Sequence, residues 1–121
     1  MKKAQKLIKD YEGFEFSSGG QTGGDYKKFE TKLRGVIKSA AEEIDAKLVS
    51  FSRNHYECSA FVERDDKFAY ISISDVRHFK DNWIDNILVR TAKGTKDYTG
   101  GRNNRTTLVN LSEKLDNLLS E

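Results

Sequence analysis

Between positions 90 and 105 the chain carries Arg90, Lys93, Lys96, Arg102 and Arg105 against a single acid, Asp97. The stretch reads RTAKGTKDYTGGRNNRTT and includes Gly94, Gly100 and Gly101. Glycine lets backbone N–H groups approach an anion closely, and arginine can grip phosphate oxygens through two parallel hydrogen bonds. Tyr98 adds a ring on which a base can stack. The chemistry these residues suggest is anion recognition. Five cations spread over about 16 residues suit a nucleic-acid backbone better than a small metabolite. Neither GxxxxGK[ST] nor GxGxxG occurs, so nothing points to nucleotide hydrolysis.

Other reactive side chains are few. His55 and His78 are the only histidines, and neither stands four residues from another strong ligand in a zinc pattern. Cys58 is the single cysteine, which excludes an intrachain disulfide and a cysteine-built zinc site. His55 lies three residues before it, but a lone cysteine in a strand is ordinarily core. Glu63, Asp65, Asp66 and Asp75 could gather at one end of a sheet, and Asp65-Asp66-Lys67 has the acid-x-lysine spacing of metal-dependent nucleases. The same RDDK is also a natural hairpin turn, which its position between two strands demands. The sequence thus names no catalytic residue, no metal ligand and no cofactor.

The elements that would position these groups follow from periodicity. Ala4, Leu7, Ile8 and Tyr11 share one face of a short amphipathic helix within 1–12. Residues 13–24, GFEFSSGGQTGG, have the composition of a flexible linker. From Asp25, apolar residues recur at Tyr26, Phe29, Leu33, Val36, Ile37, Ala40, Ile44 and Leu48, predicting one long helix. Gly35 falls off that stripe. Lys27, Arg34 and Lys38 lie within about 40° of each other on the opposite side and form a basic ridge. The cations of this helix crowd its first half and Glu42, Glu43 and Asp45 its end, the reverse of what the helix dipole favours.

Beyond residue 48 the period approaches two. Segments 48–53, 56–63 and 68–74 read as strands joined by the turns RNH and RDDK, and 86–92 reads as a fourth strand. Phe79 and Trp83, four apart, suggest a helical turn between them. Thr107 can cap a last helix whose Leu108, Leu111, Leu115 and Leu118 form a stripe, so the basic loop would lead straight to a helix N-terminus at 106–108.

The expectation is a single α+β domain over 1–121. An antiparallel sheet of three to four strands would carry the long helix and the C-terminal helix on one face, with residues 25–121 as the main core. The short N-terminal helix could pack on a second copy in a homodimer. Net charge is +2 with a pI near 8.6, so the distribution of charge, not its total, marks the partner. No apolar run approaches the ~20 residues that span a bilayer, and MKKAQKLIKDYE lacks the apolar stretch of a signal peptide. Cytoplasmic placement with no membrane partner is expected.

The run LVRTAKGTKDYTGGRNNRTTL resembles segments of small accessory proteins of phages and conjugative elements of Gram-positive bacteria. That class includes anti-CRISPR inhibitors, and the resemblance implies binding to a host nucleoprotein rather than catalysis. From the residues themselves, the expected function is non-enzymatic contact with nucleic acid or a nucleoprotein. Arg90, Lys93, Lys96, Tyr98, Arg102 and Arg105 would carry it, helped by Lys27, Arg34 and Lys38. An inhibitor acting by protein–protein contact is the alternative, and a small metal-dependent nuclease a further one.

Overall fold

The structure, a computed structural model, describes residues 2–12, 24–53, 57–74, 82–94 and 101–120. In chain order the elements are α1 (Lys2–Asp10), α2 (Gly24–Glu43), β1 (Lys47–Arg53), β2 (Glu57–Arg64), β3 (Lys67–Ser74), α3 (Asn82–Asp85), β4 (Ile87–Ala92), β5 (Asn104–Thr106) and α4 (Leu111–Leu119). The strands pair antiparallel, each with its sequence neighbour, in one five-stranded sheet. The α+β architecture matches the sequence, with one strand more than expected. The linker residues 13–23, the turn residues His55 and Asn54, and Asp75, His78 and Phe79 lie outside the described residues, as does the side chain of Tyr26.

Side-chain alternation divides the sheet into two faces. Cys58, Ala60 and Val62 of β2, Ala69, Ile71 and Ile73 of β3, and Ile87 and Val89 of β4 are buried on one face. Phe29, Leu33, Val36, Ile37 and Ala40 of α2 and Leu111, Leu115, Leu118 and Leu119 of α4 join them in one core. At the far end of this layer Phe29 meets Tyr11 and Trp83 edge-on, each with ring centroids 5.0 Å apart. These contacts tie α1, α2 and α3 together. Ala4 and Leu7 of α1 are buried within the chain, and Ile8 and Tyr11 of the same face pack partly buried against the core.

In β1 the register slips between Leu48 and Ser50. This bulge at Val49 lets Leu48 and Phe51 both pack on the core although they stand three apart.

The long helix ends earlier than its periodicity suggests. Asp45 adopts φ 60°, and the N–H groups of Asp45 and Ala46 bond back to Glu42 and Ala41 at 3.2 and 2.9 Å. That is a Schellman stop, with aspartate where glycine is usual, and it turns Ile44 out of the helix and delivers Leu48 to β1. The last helix likewise begins at Leu111 rather than near Thr107. Leu108 precedes it, buried, its N–H held by the Ile84 carbonyl at 2.7 Å.

RDDK is a two-residue hairpin turn: Asp65 and Asp66 have φ 53° and 65°, the left-handed pair that suits the strand twist. Arg64, at its start, reaches away from the turn. It donates to the Ile44 carbonyl (2.9 Å), to the Asp116 carboxylate (2.7 Å) and to Ser120 Oγ (2.9 Å). Neither α2 nor α4 has a basic residue in its last turn, so Arg64 places a cation at both helix C-termini.

Candidate nucleic-acid interface

The basic stretch is the connection between β4 and β5. The segment 104–106, NRT, is short and polar, and its sequence predicts loop rather than strand. Its backbone nonetheless pairs with β4 in the register Ile87↔Thr106, Leu88↔Arg105 and Val89↔Asn104. The loop is thereby shortened, and its two legs are locked at the base. Arg90 donates from Nη2 to the Gly101 carbonyl across the legs. At Gly101 a side chain would be driven into the Thr91 carbonyl oxygen, so glycine is needed there for close backbone contact. Asn104 Nδ2 donates to the Arg102 carbonyl at 3.0 Å and shapes the returning leg.

On this frame Lys93, Arg102 and Arg105 are exposed, and among the described residues none of the three makes an ion pair. Arg90 is half-buried and engaged with the loop base, so it acts there as a fastener. Lys96 and Tyr98 lie outside the described residues. The loop does not lead directly into a helix N-terminus. β5 and a turn intervene, with Thr107 Oγ1 accepting from the Asn110 N–H at 3.2 Å.

Lys27, Arg34 and Lys38 are exposed on α2, as a basic ridge requires. The ridge does not join the loop. The buried stripe of α2 faces the sheet, so the ridge faces away on the helix side, whereas Arg105 shares the opposite sheet face with its cross-strand partner Leu88. The expected help from the long helix therefore has no common surface with Arg105.

The acidic and thiol candidates have structural settings. Asp65 and Asp66 are exposed turn residues, and Glu63 lies 3.9 Å from Lys47. Among the described residues, no group of three or more His, Cys, Asp or Glu side chains could hold a metal ion. Cys58 is buried beside Glu30, and burial, followed by the Glu30 charge, pushes its thiol pKa up to about 12. Such a thiol is a poor nucleophile at neutral pH.

Glu30 itself escaped the sequence reading. It is 2% exposed, accepts from Cys58 Sγ at 3.6 Å and lies 3.9 Å from Arg53 Nε. Burial raises its carboxyl pKa above the ordinary value, and the Cys58 hydrogen bond and the Arg53 charge act in the opposite sense. A charged residue on the buried stripe of a helix was the available signal. Its partners, 28 and 23 positions later, were not readable from spacing.

Also missed were the side chains that β2 and β3 place on the face away from the helices. Phe61 pairs with Tyr70, their rings 5.0 Å apart and tilted by 49°. Phe68 follows two positions before Tyr70 on the same side. The alternation F-A-Y-I in β3 carried this signal, since two aromatic residues occupy the positions that would normally be polar.

No protein-family model, curated protein or solved structure matches the chain. Among the described residues, no helix is long and apolar enough to cross a membrane.

Proposed function

We propose that this protein binds nucleic acid, free or within a nucleoprotein, by holding backbone phosphates against the β4–β5 loop, and that it acts by binding rather than catalysis. The observation that carries this reading is a hairpin locked at its base by Arg90, Gly101 and Thr91 that presents Lys93, Arg102 and Arg105 to solvent. Cations on a fixed frame lose less freedom on binding than cations on a slack loop. Without an acid paired to them among the described residues, their field is available to an incoming polyanion.

The test is fluorescence anisotropy with labelled DNA and RNA at low salt, comparing wild type with Arg102→Glu/Arg105→Glu. Binding should fall at least tenfold in the variant while its melting temperature stays within a few degrees of wild type. Equal binding by both proteins would sink the proposal. So would absence of binding to any nucleic acid, which would turn attention to a protein target.

A further inference from the structure

Gly35 stands inside α2, and nothing lies within 4 Å of where its Cβ would sit. Alanine would fit there and would favour the helix, so folding does not ask for glycine. What the missing side chain does is keep a groove clear. A cleft of about 320 Å³ lies between α1 and α2, its floor made, among the described residues, by Leu7, Gly35 and Val36. Lys3, Lys6 and Asp10 of α1 form one wall and Lys32 of α2 the other. We propose that this groove docks an acidic amphipathic helix of a partner protein, a site separate from the β4–β5 loop and independent of the phosphate-binding reading.

Helical spacing builds both walls. Lys3, Lys6, Leu7 and Asp10 stand at i, i+3, i+4 and i+7 and so share one face of α1. Lys32, Gly35 and Val36 repeat that spacing on α2, with the exposed Lys28 one turn earlier on the same side. Lys6 is held by Asp10 at 2.8 Å. Lys32 Nζ lies 5.5 Å from the centre of the Tyr11 ring, a contact that positions the side chain and leaves its charge in place. Among the described residues Lys3, Lys28 and Lys32 make no ion pair. Asp10 is thus the one acid set against these four lysines, and Glu42 and Glu43 stand about two turns beyond Val36. Lys3 also sits in the first turn of α1, which holds no acid and where the helix dipole disfavours a cation.

The placement of charge selects the occupant. Lysines on both sides of an apolar floor match a helix whose apolar anchors, at i, i+3, i+4 and i+7, are flanked on each side by Asp or Glu. A fatty-acid-like anion carries its charge at one end and would leave one wall unmatched. The volume also stands at the lower limit of small-molecule pockets, roughly 300–1,000 Å³, while a docked helix inserts only a few side chains. A nucleic acid offers phosphates but no aliphatic ridge for the floor. A second copy would bring this basic face against itself.

The deciding experiment measures anisotropy at low salt with a labelled four-turn synthetic peptide bearing leucines at i, i+3, i+4 and i+7 and glutamates beside them. Two control peptides replace the leucines by alanine or the glutamates by lysine. Wild type is compared with Gly35→Leu, which fills the groove with a good helix former, and with Lys3→Glu/Lys32→Glu, which changes two exposed residues. Thermal melting confirms that both variants fold before binding is read. Wild type should bind the acidic peptide at least tenfold more tightly than either control, with amide NMR shifts at Leu7, Gly35 and Val36. Each variant should lose fivefold or more. Absence of binding by wild type, equal binding of the alanine control, or a folded Gly35→Leu that binds like wild type would refute the docking site. Shifts of the same amides by dodecanoate but not by the peptide would overturn it in favour of a small amphiphile. Dimerisation of wild type that Gly35→Leu abolishes would overturn it in favour of a second copy. None of these outcomes bears on the loop, whose test changes Arg102 and Arg105.

Discussion

Glu30 keeps a carboxyl group inside the interface between α2 and β2, and its raised pKa makes a definite statement about stability. Below the ordinary value of 4.5 the carboxyl is protonated in both folded and unfolded chains. As pH rises above it, the unfolded chain ionises first while the folded chain holds its proton, so this residue's contribution to stability declines until the folded group has ionised. Glu30→Gln removes the ionisation and retains hydrogen-bonding capacity towards Cys58. Urea unfolding should show the variant gaining on wild type as pH goes from 4 to 7.5; a gap that narrows over that range would contradict the assignment. Arg64 behaves differently, because its hydrogen bonds join three elements across 20, 52 and 56 positions. Arg64→Met should cost about 2–3 kcal/mol, since it leaves carbonyl and hydroxyl groups at two helix ends without their charged donor. Asp116→Asn should cost under about 1 kcal/mol, because that carboxylate is exposed. Equal losses in the two variants would mean that the ion pair, not the helix-end contacts, is what matters.

At the level of elements, two backbone positions can be improved and one cannot be changed. Asp45 occupies a left-handed conformation that glycine adopts without strain, so Asp45→Gly should stabilise by about 0.5–1 kcal/mol. Gly35, within α2, has nothing within 4 Å of where a Cβ would sit, and Gly35→Ala should add up to about 1 kcal/mol. Gly101→Ala should instead cost about 1–3 kcal/mol, because the methyl group meets the backbone of Thr91. Chemical unfolding of the three variants checks all three signs. The helices and the first four strands were legible because their periods of 3.6 and 2 run over many residues. The end of α2 was not: Ile44 and Leu48 continue the apolar spacing, and only the conformation of Asp45 reveals the stop. Nor could β5 be read, since three polar residues have no period and become a strand through β4. The cations were legible as a group, but the face each occupies depends on register, which composition does not contain.

Taken whole, the described residues form a sheet with its helices packed on one face and the basic β4–β5 loop at one edge. The α2 ridge of Lys27, Arg34 and Lys38 faces out from the helix layer. A net charge of +2 understates the contrast between these regions. The proposed nucleic-acid recognition uses the β4–β5 side of the sheet, where Lys93, Arg102 and Arg105 are exposed. The most direct test is the salt dependence of binding to a single strand, for wild type and for Arg102→Gln/Arg105→Gln. If both arginines hold phosphates, log Kobs should fall linearly with log salt, and the slope should become shallower by about 1.4 in the variant, or about 0.7 per lost phosphate contact. A slope near zero in wild type, or one unchanged in the variant, would contradict phosphate recognition by this loop.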